Sequence, residues 1–221
     1  MSIRFWVLLF LLGASAVMAD DLLIIDDRRS GNLDSTLGTS WRMVTDGVMG
    51  GVSSGMLTLT TVDKRDCLRL QGDVRLENNG GFVQAALDIG KTAAADASAY
   101  TGIVIDVYGN DEAYNLHLRS ADLWLPWQSY RATFQAPASW QTVQLPFAEF
   151  SPYKTSKALD LTKLERIGLL AIGRAFSADL CIGRVVFYLW IRQSAPSLGN
   201  PGDRNHWVTV SMECVSITGL A

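Results

Sequence analysis

Gly51-Val-Ser-Ser-Gly55 matches G-x-S-x-G, the pattern that holds a nucleophilic serine on a sharp strand-to-helix turn. Ser53 would be the nucleophile. That chemistry needs a helix after the serine, and an acid and a histidine later in the chain. Here an alternating strand pattern follows, and the only histidines are His117 and His206. His117 lies between Leu116 and Leu118, inside an apolar alternation of its own. A tight turn entering a strand explains the glycines better than a hydrolase does. The sequence therefore predicts no catalytic residue and no enzyme.

Metal chemistry fares no better. Two distant histidines give no zinc spacing. Asp106, Asp111 and Glu112 cluster near a turn and have the oxygen chemistry that calcium takes, but an ordinary solvated turn is the stronger reading. No pair of carboxylates stands out for glycoside hydrolysis. Asp26 and Asp27 are adjacent and read as solvated. No G-x-x-x-x-G-K-[ST] is present to cradle a phosphate. No metal and no cofactor are predicted.

Binding is better supported. Trp124, Trp127 and Tyr130, with Arg119 nearby, bring flat rings and a guanidinium fork together around Pro126. Such a set takes a sugar face or a protein segment. The competing reading places the rings as a cap on one end of a core. For Tyr130, which alternates with Ala132 and Phe134, the core is the better choice.

The elements that must position these residues are strands. Met56–Val62, Cys67–Leu76, Phe82–Ile89, Thr101–Tyr108, Tyr114–Arg119, Tyr130–Gln135, Trp140–Phe147, Arg166–Gly173 and Asp179–Ile191 alternate apolar and polar residues between turn signals. Leu22–Ile25 reads as a first edge strand. Thr101–Tyr108 and Tyr114–Arg119 read as a hairpin across Gly109–Asp111. Pro146 should end its strand, because proline cannot donate to a ladder. Ser151–Leu159 reads as a loop, Leu161–Glu165 as a short helix, and Lys91–Ala99 as a helical turn or a loop. About nine strands in one continuous unit, with no linker between residues 41 and 191, predict an all-β sandwich.

The ends of the chain read differently. Residues 1–19 have a short positive start and an apolar run over Phe5–Val17, with a cleavage signal after Ala19. This is the layout of a signal peptide, so a periplasmic or secreted protein is expected. The domain is placed at 20–192, followed by a Ser/Pro/Gly/Asn-rich tail over 193–221. That tail holds an apolar stretch at Trp207–Ile217. With a net charge of −3 and no Lys/Arg run, nothing asks for nucleic acid. Of three cysteines, Cys67, Cys181 and Cys214, two could bond in an oxidising compartment. Cys67 and Cys181, on strands, are read instead as small buried hydrophobes.

The densest stretch is Trp41 to Gly55, with glycines at 47, 50, 51 and 55. Glycine enters positive φ at no steric cost, so the stretch should be a tight, irregular loop. Short polar side chains at Asp46 and Ser53 should close it by bonding to backbone. Trp41 and Thr45-Asp-Gly-Val-Met-Gly-Gly-Val-Ser-Ser54, then Asn79-Gly-Gly-Phe82, resemble signature motifs of the complex I intermediate-associated protein 30 family. Gly102–Tyr108, Tyr130–Phe134, Trp140, Leu145-Pro-Phe147, Phe150 and Ile167-Gly-Leu169 follow in that family's order. Many members carry an arginine shortly after Gly-Gly-Phe, where this chain has Gln84-Ala-Ala86. The resemblance implies a galactose-binding-domain-like jelly-roll β-sandwich. It assigns structural roles to Trp41, Asp46, Gly50, Gly51, Ser53, Gly80, Gly81 and Phe82. It also implies a non-enzymatic, chaperone-like assembly factor with a protein client, including a membrane complex. A carbohydrate-binding module is the alternative, through Trp124, Trp127, Arg119 and Tyr130.

Overall fold

The structure, a computed structural model, describes residues 22–90 and 94–189. The stretch read as a signal peptide, the tail, His206 and Cys214 lie outside the described residues. Twelve strands and four short turns of 3-10 helix are described, with no α-helix among the described residues. One antiparallel sheet runs β3 (Ser54–Val62), β4 (Arg65–Val74), β12 (Phe176–Tyr188), β6 (Gly102–Tyr108) and β9 (Gln141–Pro146), with β1 (Leu22–Asp26) also pairing β12. The other runs β10 (Ser151–Tyr153), β8 (Ser129–Ala136), β7 (Glu112–Ser120), β11 (Leu164–Ile172), β5 (Phe82–Asp88) and β2 (Arg42–Thr45).

Alternation decides which side chains meet between the sheets. Leu68, Leu70, Ile103, Ile105, Val107, Ile182, Val185 and Phe187 face inward from the first sheet. Val83, Ala85, Leu87, Tyr114, Leu116, Leu118, Tyr130, Phe134, Ile167 and Leu169 face them from the second. Each fully buried large apolar side chain contributes about 1.5–3 kcal/mol, so this double layer supplies most of the driving force. The all-β sandwich expected from the sequence is what forms.

Several details differ from expectation. β6 and β7 are not a hairpin: they belong to opposite sheets, and Gly109–Asp111 carries the chain across the sandwich. Stacked and paired strands bury the same alternate residues, so the pattern could not tell them apart. An added Cβ at Gly109 would run into Ala136 backbone and side chain, so the crossing is tight. β2 lies inside the stretch read as pure loop, paired to β5 from Arg42↔Ala86 to Thr45↔Val83. β10 lies in the stretch read as a loop after Phe150. It includes Pro152 because its only described neighbour is β8, and an edge strand tolerates proline. Residues 161–163 make only a single 3-10 turn. Residues 94–99 form no helix, and Ala95 bridges to Leu164 instead.

Asp26 corrects a second expectation. It is buried, not solvated, and accepts hydrogen bonds from Arg28 N (2.9 Å), Arg28 Nε (2.8 Å) and Trp41 Nε1 (2.5 Å). Arg28 forms an ion pair with the same carboxylate, and burial lowers its pKa to about 10. Asp27 instead pairs with the exposed Arg29. Cys67 and Cys181 are buried as expected but are not free thiols. They form a disulfide between neighbouring strands β4 and β12, with Cα atoms 5.4 Å apart and 114 residues between them in sequence.

Candidate functional site

The G-x-S-x-G loop is a structural clasp. After β2, Asp46–Met49 forms a 3-10 turn capped by the Thr45 side chain, and Gly50 (φ 87°) ends it. The fully buried Asp46 carboxylate then gathers two separate pieces of chain. Its Oδ1 accepts from Ser53 N at 2.9 Å. Its Oδ2 accepts from Ser53 Oγ at 2.5 Å, Gly81 N at 2.5 Å and Phe82 N at 3.4 Å. Ser53 Oγ in turn accepts from Arg75 N at 2.9 Å. The first and second motifs are thus tied through one side chain. Burial alone would raise the Asp46 pKa, but the hydrogen bonds from Ser53, Gly81 and Phe82 outweigh it and hold the carboxyl below its usual range.

The glycines are explained by this carboxylate. A Cβ on Gly51 would run into Asp46, and one on Gly80 would meet its Oδ2 and lie 2.8 Å from its Cγ. Gly81 holds φ 124°, and Phe82 begins β5, half-buried. Ser53 has a carboxylate beside it but no histidine among its partners. His117, the described histidine, lies on the far sheet's outer face. Among the described residues no histidine is hydrogen-bonded to Ser53.

Trp41 is also structural: it is buried in the core, with Nε1 on Asp26. Among the described residues no group of three or more His, Cys, Asp or Glu is placed to hold a metal. The three acids considered for calcium have separate partners. Asp106 accepts from Thr142 Oγ1 at 2.6 Å, Asp111 accepts from Ala138 N at 3.1 Å, and Glu112 pairs with Arg174.

The aromatic loop, residues 121–128, joins β7 to β8 at the opposite end of the second sheet from the clasp. Trp124 is 86% exposed, Trp127 46% and Leu125 43%. This exposure is built in. Leu123 is buried and anchors the loop in the core. Arg119 Nη1 donates to the carbonyls of Leu125 (2.9 Å), Pro126 (3.2 Å) and Gln128 (2.6 Å), and Nη2 donates to Leu123 O (3.1 Å). Gln128 accepts from Leu125 N at 3.1 Å and donates to Lys154 O at 3.0 Å. Of the four residues proposed for binding, Arg119 therefore changes role, and Tyr130 takes the core position its alternation favoured. Arg119 holds the loop from beneath, its fork engaged by backbone carbonyls. Tyr130 is a core residue, 1% exposed, whose hydroxyl donates to Ala158 O. Tyr153, missed in the sequence because it lies in a Pro-containing stretch, stands beside the loop with the Arg131 guanidinium 3.3 Å from its ring centroid.

Comparison with known proteins follows from this geometry. No curated protein matches the chain by sequence. Among solved structures it is similar to the family 11 carbohydrate-binding module of the cellulosomal cellulase Lic26A-Cel5E of Clostridium thermocellum. The TM-score is 0.61 at 14% identity, over 76% of this chain and 94% of that one. The family 11 module of the same organism in complex with a β-1,3-1,4-mixed-linked tetrasaccharide gives a TM-score of 0.61 at 14% identity, over 76% and 96% of the chains. The family 30 module of the cellulosomal cellulase Cel9D-Cel44B gives a TM-score of 0.54 at 12% identity, over 76% and 98%. At such identities the likeness is one of fold, the jelly-roll sandwich. The model of the family described as complex I intermediate-associated protein 30 (CIA30) matches residues 32–182. That span takes in Trp41, the Asp46 clasp, both of its glycine motifs and the aromatic loop, and this chain belongs to the CIA30 family.

Proposed function

We propose that the protein is a non-enzymatic binding module that engages a protein client through the loop bearing Trp124, Leu125 and Trp127. The observation that carries this reading is the combination of exposure and rigidity in that loop. Exposed indole rings bury large areas on contact, and a loop whose backbone is already held by hydrogen bonds loses less entropy when they do. Tryptophan is also among the residues that dominate protein interfaces. Membership of a family named for an intermediate of complex I supports a client that is part of a membrane assembly. The apolar leader and the Cys67–Cys181 disulfide support action outside the cytoplasm, where such bonds persist.

Crosslinking in cells from a photoreactive residue at position 125, followed by mass spectrometry, tests the reading. A defined set of partners should disappear with Trp124→Ala or Trp127→Ala while the melting temperature holds. Identical capture by the wild type and both variants would overturn it.

Carbohydrate binding is the second reading. It is favoured by the same flat rings, since an indole face stacks on a pyranose ring, and by the fold shared with sugar-binding modules. A glycan array decides between the two. Binding there that both tryptophan variants abolish, with no protein partner captured, would replace the first reading.

A further inference from the structure

The outer face of the second sheet continues from the aromatic loop and has a chemistry of its own. Across one row of the ladder lie Arg42, Ala86, Gly168, His117 and Arg131, each opposite the next. The adjoining row holds Asp88, Arg166 and Arg119. On the other side lie Gln84, Leu170, Asn115 and Thr133. At the middle of the face Ala86 and Gly168 have little or no side chain, and Leu170 packs beside Gly168. The Gln84 amide reaches over Gly168, where an added Cβ would run into its Nε2.

Two features of this face are left incomplete by the protein. His117 is 7% exposed, and its Nε2 is buried with no hydrogen-bond partner. A buried polar atom of this kind ordinarily has a partner. Beside it, Arg131 donates through Nε to Ser129 Oγ at 3.0 Å and stacks on Tyr153, but has no carboxylate partner among the described residues. Burial, and then the Arg131 charge, lower the His117 pKa to about 3, so the ring is neutral beside that cation. Asp88, by contrast, is shared by Arg42 at 2.6 Å and Arg166 at 2.6 Å. The face thus carries four guanidinium groups, Arg42, Arg119, Arg131 and Arg166, against Asp88, with Glu165 at its margin. This is a local positive excess on a chain of net charge −3.

We infer that this face is a carboxylate-recognition site for an acidic segment of the protein client, with Arg131 as the fork that receives the carboxylate and Gln84 and Asn115 as flanking hydrogen-bonding groups. The inference rests on the client-binding reading and names the chemistry of the partner. Charge complementarity selects the occupant: an anion supplies the counter-charge Arg131 lacks, and a carboxylate matches a guanidinium in bidentate geometry. A strand-like acidic segment entering from the aromatic loop would place apolar residues on Trp124 and Trp127 and its carboxylate on Arg131.

The probe is oligoglutamate, with oligoglutamine as the uncharged control and oligogalacturonate as the acidic glycan control. Binding is followed by calorimetry at low and high salt, and by the nitrogen shifts of His117 and the Arg131 side chain. Oligoglutamate should bind and weaken with salt. Arg131→Gln should weaken it by about 10-fold or more, while Arg65→Gln, over the Trp140 ring on the other sheet, leaves it unchanged. Gln84→Ala serves as a second variant should Arg131→Gln lower the melting temperature. Three outcomes overturn the inference: no binding of oligoglutamate, equal loss in Arg65→Gln, or binding of oligogalacturonate alone. If Arg131→Gln leaves client capture intact while Trp124→Ala abolishes it, the carboxylate site fails and the client reading stands. If both are silent, the client reading itself fails.

Discussion

Asp46→Ala removes the clasp, and its effect can be worked from the hydrogen bonds it makes. Ser53 Oγ keeps Arg75 as a partner (2.9 Å to its N, 3.2 Å to its O) and is not orphaned. Ser53 N and Gly81 N lose their acceptor inside a buried site. Each such loss costs about 1–3 kcal/mol, partly offset because a carboxylate no longer has to be desolvated. A net loss of about 3 kcal/mol follows, or about 6–12 °C in Tm for a domain of this size. Asp46→Asn should fall between, since its amide presents a donor where one oxygen accepted. The second arm is Gly80→Ala, whose new Cβ would collide with the carboxyl group and otherwise come no closer than 3.1 Å, to Glu77 O. Removing the carboxyl relieves most of that collision, so the double variant should be less destabilised than the sum, by about 1–2 kcal/mol. Urea denaturation of the wild type, the three single variants and the double variant measures all of these. Additive effects, or an Asp46→Asn variant as stable as the wild type, would refute the account of the glycines and the carboxylate as one device.

Stability should fall as pH drops from about 6.5 to 4.5. The folded-state pKa of His117 lies far below its unfolded value. The stability it contributes is therefore complete above the unfolded pKa and decreases below it, at no more than about 1.4 kcal/mol per pH unit. Denaturation curves for the wild type and His117→Gln should converge in slope only above that window. Reduction, or Cys67→Ala with Cys181→Ala, should destabilise the domain by about 2–5 kcal/mol, read as a midpoint shift with and without reductant. Trp41→Phe keeps most of the ring volume but strips Asp26 of an indole donor (2.5 Å), and should cost about 1–3 kcal/mol in the same assay.

Much of the fold was legible because strands with one buried face write a period of two into the sequence. Leu68 and Leu70 of β4, or Ile103, Ile105 and Val107 of β6, could be read directly. What the period could not carry was partnership. β6 and β7 alternate equally well stacked across a core or hydrogen-bonded side by side, and the difference lies in their partners: β6 pairs with β9 and β12, β7 with β8 and β11. Asp26 looked solvated because Trp41, which buries it, meets it only after the chain folds back over 15 residues. The clasp was half-legible: a backbone-bonding role for Asp46 and Ser53 followed from their type and the turn around them. Its reach to Gly81, 35 residues on, did not. At the aromatic loop, the sequence left Trp124 and Trp127 open between an exposed surface and a cap on the core, and the structure exposes both. Arg119 was misjudged because sequence proximity cannot say whether a guanidinium faces a ligand or the carbonyls beneath it. The face around His117 carried no sequence signal, since it is assembled from five strands.

The order of strands in the two sheets has a kinetic consequence. β12 stands between β4 and β6, and β11 stands between β5 and β7. The last two described strands are therefore the central ones. Without them the first sheet falls into two hairpin-sized pieces plus a lone β1, and the second into halves of three and two strands. Pieces of this size are marginal in water. A nascent chain growing at about 5–20 residues per second can complete the second sheet only once residue 172 has emerged, and the first only once residue 188 has. Folding is thus deferred until both of these strands have been made, and any factor that holds the chain unfolded until then competes with little residual structure.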